Sequence, residues 1–128
     1  MTNMNRTVAK PINIDVTKNR GVTVVAPEGP RLDAEVAGDL RATLLQLIDS
    51  GDRQLILDLP SVTFIDSSGL GALVSALKRL KQVDPAGDIK LAHVQPSVMA
   101  VLEIISLHRV FSQFPSVDAA VHSFRIAV

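Results

Sequence analysis

Apolar residues fall into two rhythms along this chain. From Leu55 to Leu59 they are nearly continuous, with Asp58 as the one interruption. A run so short and so apolar suits a central strand covered on both faces. Val62, Phe64 and Ile65 form a second short run. From Ser67 the rhythm changes: Leu70, Leu73, Val74, Leu77 and Leu80 recur at helical spacing and predict a helix from Ser67 to about Gln82. Lys78, Arg79 and Lys81 lie in its last turns, where cations suit the helix dipole.

The same reading orders the rest. Residues 1–10 are polar and aperiodic, and read as a flexible arm ahead of one domain over 11–128. Ile12, Ile14 and Val16 alternate with polar residues as in a half-exposed strand. Lys18 to Gly21 supplies a turn, and Val22 to Ala26 the partner strand of a hairpin. After the Pro27–Pro30 break, Asp33 is an N-cap candidate for a helix striped by Val36, Leu40, Leu44, Leu47 and Ile48, with Gly51 at its C-terminal end. A strand over Ile89–Val94 follows. Pro96 then opens a helix whose inward face is Val98, Val101, Leu102 and Ile105. Val110-Phe111 reads as a short last strand. Ser116 or Asp118 starts a final helix with Val117, Ala120, Val121 and Phe124 on its apolar side. Helices between strands require crossovers. The fold class is therefore α/β: a mixed, mostly parallel sheet with an antiparallel N-terminal hairpin and helices packed on it.

Composition narrows the function. The 128 residues carry thirteen basic and thirteen acidic side chains, so no basic surplus points to nucleic acid or an anionic membrane. Cysteine is absent, which excludes disulfides, thiolate metal sites and a cysteine nucleophile. The polar N-terminus has no apolar core of a secretory signal, and no apolar run reaches spanning length. The expectation is a soluble, cytoplasmic protein with no membrane insertion.

Most catalytic readings fail on spacing. A hydrolase elbow needs glycine two residues either side of the serine; Ser68 has Asp66 and Leu70 there, and Ser67 has Ile65 and Gly69. Gly69-Leu70-Gly71 resembles the opening of a dinucleotide fingerprint, but Val74 stands where its third glycine belongs. His93, His108 and His122 are scattered without metal-ligand spacing. No cofactor, no metal and no enzymatic activity is expected. What remains is a hydroxyl at a helix start, preceded by an aspartate. Asp66, Ser67 and Ser68 are each good N-caps. The other reading is phosphorylation, since a helix N-terminus favours the added charge of roughly −1.5 to −2. Gly69 and Gly71 stand where glycine weakens a helix by roughly 0.5–1 kcal/mol. That implies close approach of another group, or tight packing on a neighbouring strand.

Leu57-Asp58-Leu59, followed by Val62-Thr63-Phe64-Ile65-Asp66-Ser67-Ser68-Gly69-Leu70-Gly71, resembles the signature of the STAS domain, and most closely that of bacterial anti-sigma factor antagonists. The resemblance covers nearly the whole chain, including Leu32-Asp33 and Ile89-Lys90-Leu91 with the Pro96-Ser97 helix. It implies that Ser67 is a phospho-acceptor. The unphosphorylated protein would bind an anti-sigma factor that is also a serine kinase, freeing the sigma factor. Phosphorylation, with ATP held by the kinase, would release it, and a PP2C-type phosphatase would restore it. Asp33, Asp66, Ser68, Gly69, Leu70 and Gly71 would lie on the partner-binding face of a monomer or weak dimer. In the family Gly-Glu-Leu-Asp runs straight from the second strand; here Glu28-Gly29-Pro30-Arg31 separates that strand from Leu32-Asp33, and this loop, expected near Ser67, bears on partner choice. Other STAS domains are constitutive subunits of stress-sensing or lipid-transport assemblies; in that role Ser67 would be only a helix cap.

Overall fold

Alternation along one strand sets the architecture. The computed structural model describes residues 13–125. In β4 (Gln54–Asp58), Leu55, Ile56 and Leu57 are all fully buried, so the strand is covered on both faces. Leu55 and Leu57 join one apolar cluster and Ile56 another, as a period of two requires. The first cluster holds Val36, Leu40, Leu44 and Ile48 of α1 (Ala34–Asp49), Leu73, Ala76 and Leu80 of α2 (Ser67–Val83), and Val98 and Leu102 of α3 (Pro96–Ile104). The second is closed by Ala120, Val121 and Phe124 of α4 (Val117–Arg125).

Five strands form the main sheet in the order β1-β2-β4-β6-β7, where β1 is Ile14–Asn19, β2 Val22–Pro27, β6 Asp88–Ala92 and β7 Gln113–Phe114. The β1–β2 pair is antiparallel and the other pairs are parallel. This is the expected mixed, mostly parallel sheet with its hairpin edge. The hairpin turns on Arg20 (φ 54°) and Gly21 (φ 83°), two left-handed residues in a two-residue loop, whose twist matches the strands. The expected flexible arm and the strand start at Ile12 lie outside the described residues.

A second, two-stranded parallel sheet joins β3 (Arg31–Leu32) to β5 (Phe64–Ile65). Sequence patterning assigns Arg31-Leu32 to a loop, because two residues carry no period.

Three further expectations are corrected. Val16 is exposed rather than facing inward, on the edge strand of the sheet. Ile105 is exposed because α3 ends at Ile104 and Ser106 turns left-handed (φ 63°), starting the 3-10 turn Leu107–Arg109. Val110-Phe111 is not a strand: Phe111 is fully buried as part of the core, and the ladder against β6 begins only at Gln113, opposite Leu91.

Candidate functional site

The small β3–β5 sheet positions the start of α2. Its rungs are Arg31↔Phe64 and Leu32↔Ile65. The Asp66 N–H then donates to the Leu32 carbonyl (3.2 Å), and the N–H groups of Thr63 and Phe64 both donate to the Pro30 carbonyl (2.9 and 3.1 Å). Leu32 and Ile65 point into the core, so Arg31 and Phe64 point outward. One residue further on, Asp33 and Asp66 leave the two strands and each opens a helix. The start of α3 is tied in as well, through the Ser97 hydroxyl donating to the Thr63 carbonyl (2.6 Å).

Two aspartate caps therefore sit side by side. Asp33 Oδ1 accepts from the Glu35 N–H (3.1 Å). Asp66 Oδ1 accepts from the N–H groups of Ser68 (2.9 Å) and Gly69 (3.1 Å). The N-cap of α2 is thus Asp66, and neither Ser67 nor Ser68 caps it. A carboxylate at that position satisfies two orphan donors at once, which one hydroxyl does less well. Ser67 is the first helical residue, with its side chain exposed and without a hydrogen bond to another described residue.

The two glycines separate clearly. A Cβ on Gly69 would lie 2.3 Å from the Leu32 carbonyl oxygen and 2.9 Å from Ile65 Cγ1. Its glycine is required by packing within the chain. A Cβ on Gly71 would meet nothing within 4 Å, and the residue is exposed. Leu70 is half-buried and packs on the core.

Arg31 crosses this face. Its Nε donates to Asp33 Oδ2 (2.9 Å), and its guanidinium lies 4.2 Å from the centre of the Phe64 ring. That hydrogen bond holds the Asp33 carboxyl below the usual carboxylate range. Composition alone gave no reason to single out Arg31; the signal available was its place two residues before a capping aspartate.

A further pair has no signal in the local sequence. Asp58 Oδ1 lies 2.7 Å from His93 Nδ1, thirty-five residues away, and His93 adopts φ 55°. The β4–β6 register sets Asp58 opposite Ala92 and so brings His93 beside it. His93 also lines a cleft of about 380 Å³ with Gln95, Met99 and Phe114, where the parallel strands end. Among the described residues no cluster of three or more His, Asp or Glu side chains could hold a metal ion. Nor is any described helix long and apolar enough to cross a membrane.

Comparison with known proteins agrees with this fold. The STAS domain family profile matches residues 13–120. BtrV of Bordetella bronchiseptica, provisionally named an anti-sigma factor antagonist, is 29% identical over 91% of this chain and 98% of its own length. The anti-sigma-B factor antagonist of Bacillus subtilis is 31% identical over 75% of this chain and 84% of its own. Among solved structures, the anti-sigma factor antagonist SpoIIAA shares the fold. Its unphosphorylated form has a TM-score of 0.76 at 23% identity, covering 91% of this chain and 99% of that one. Its phosphorylated form has a TM-score of 0.68 at 21% identity, covering 88% and 99%.

Proposed function

This chain belongs to the STAS domain family, and from that premise we propose that it is an anti-sigma factor antagonist switched by phosphorylation of Ser67. The unphosphorylated protein binds an anti-sigma serine kinase and frees the sigma factor. Phosphate on Ser67 releases it, and a PP2C-type phosphatase reverses the step. The protein acts by association, not by catalysis. Support for the antagonist role comes from relatives named anti-sigma factor antagonists, matched over most of their length.

The observation that carries the reading is the division of labour at the helix start. Asp66 takes the capping role, so the Ser67 hydroxyl is left exposed at the first helical position. A phosphoryl group there meets the positive end of the helix dipole, and the fold tolerates it. It also meets the carboxylates of Asp66 and Asp33, so the charge a partner faces changes sharply while the core does not. Ser68, Leu70 and Gly71 follow on the same helix start, and Gly71 leaves room for a partner's backbone to come close.

A pull-down from the source organism's lysate with ATP tests this, using wild type and Ser67→Ala as baits. We expect a small ATP-binding kinase retained by Ser67→Ala, and phosphate on Ser67 of the wild-type bait. Phosphate-free wild type holding the same partners as Ser67→Ala would instead identify a constitutive subunit of a larger assembly.

A further inference from the structure

Arg31 is the one Lys or Arg in residues 28–40 and 54–77, the segments that build the face around Ser67. The starts of α1 and α2 carry Asp33, Glu35 and Asp66. A phosphoryl group added there without a counter-ion meets like charge on several sides. Arg31 is also held in advance. Asp33 fixes its Nε at 2.9 Å, and the Phe64 ring supports the guanidinium plane at 4.2 Å. A guanidinium has five N–H donors in a rigid fork, and only the Nε–H is engaged by another described residue. The Nη edge, with its four remaining N–H groups, is open to solvent-side ligands.

Register brings this edge toward the serine. Adjacent strands lie about 4.8 Å apart. Asp33 and Asp66 follow the last β3–β5 rung on neighbouring strands, and Ser67 comes next after Asp66. The Arg31 head group, anchored on Asp33, is therefore held at the level of Asp66, the residue before Ser67 on the neighbouring strand.

We propose that Arg31 is the built-in receptor for the phosphoryl group of phosphorylated Ser67, taking it on the Nη edge while Asp33 and Phe64 hold the guanidinium in place. This rests on the phosphorylation reading above and adds its internal partner. A phosphoserine dianion and a guanidinium fork match in charge and in bidentate geometry. In the phosphorylated protein the phosphate and the Arg31 guanidinium are spent on each other, and a docking partner loses both contacts together.

The test uses phosphoserine incorporated at position 67 during synthesis, so that no kinase is needed. The second ionisation of the phosphate, near pH 6 for unperturbed phosphoserine, is followed by ³¹P NMR in the otherwise wild-type chain, in Arg31→Gln and in Arg31→Lys. Arg31 is exposed, so both variants are expected to fold, which amide spectra check. We expect this ionisation at least about half a pH unit lower with Arg31 than with Gln, and intermediate with Lys. We also expect the Arg31 Nε–H to exchange more slowly once Ser67 is phosphorylated. An identical ionisation in all three proteins overturns the assignment. That failure would leave the kinase reading standing. Absence of phosphate on Ser67 in the lysate experiment would remove the reading itself, whatever Arg31 does here.

Discussion

At Gly69 a methyl group has nowhere to go: its nearest neighbours would be a backbone carbonyl oxygen and a buried isoleucine, both set in the small sheet. Gly69→Ala should destabilise the protein by about 1–3 kcal/mol, the usual cost of overpacking. Gly71→Ala should instead stabilise it by about 0.5–1 kcal/mol, because an open helical glycine gains by the change. Urea denaturation of the two variants separates them, and equal effects would contradict the packing described. Sequence alone gave both glycines the same two explanations, since the Leu32 carbonyl that distinguishes them lies thirty-seven positions from Gly69. The capping residue was similarly ambiguous among Asp66, Ser67 and Ser68. Backbone geometry decides it, and Asp66→Ala should cost about 0.5–2 kcal/mol. Asp33 gives a pH signature. Its carboxyl titrates below the usual range because of Arg31, so its share of stability is present above that range and is lost as pH falls through the folded value. Arg31→Gln should raise the Asp33 ionisation toward the usual carboxylate value, read by carboxyl ¹³C NMR, and weaken that acid limb.

At the scale of elements, what was legible had period and length. The α1 and α2 stripes, the apolar run of β4 and the proline entry of α3 all appear where the pattern places them. Two-residue strands were not legible, because β3, β5 and β7 exist only through their partners. Phe111 shows the ambiguity at the last of these: an apolar pair reads as strand, yet the aromatic ring fills the core and the ladder starts two residues later. The closing helix illustrates how an amphipathic element is fastened. Phe124 of α4 lies under the Lys90 ammonium, 4.0 Å from the ring centre, while Lys90 Nζ donates to the Ser123 hydroxyl at 2.8 Å. Because Phe124 also anchors the second apolar cluster, Phe124→Ala should cost about 3 kcal/mol. The urea midpoint reads this loss, and an unchanged midpoint would show that α4 is not needed to seal that face.

Across the whole molecule, zero formal net charge conceals an uneven site. Asp33, Asp66 and Arg31 gather where the small β3–β5 sheet delivers the chain to the exposed Ser67. The Asp58–His93 pair and the Arg31–Phe64 stack are invisible in sequence for one reason. Each joins residues more than thirty positions apart through strand register, which no local pattern reports. The block from Asp66 to Gly71 reads as a helix start because that pattern is local, while its cap and the difference between its two glycines come only from the fold. On such a framework the proposed phosphorylation would act as a change of surface charge, with the fold intact before and after. The most direct test is the affinity of the captured kinase for two forms of this chain, one with serine and one with installed phosphoserine at position 67, both checked for native fold. We predict that the phosphoserine form binds at least tenfold more weakly, about 1.4 kcal/mol. Equal affinity of the two forms would contradict the account.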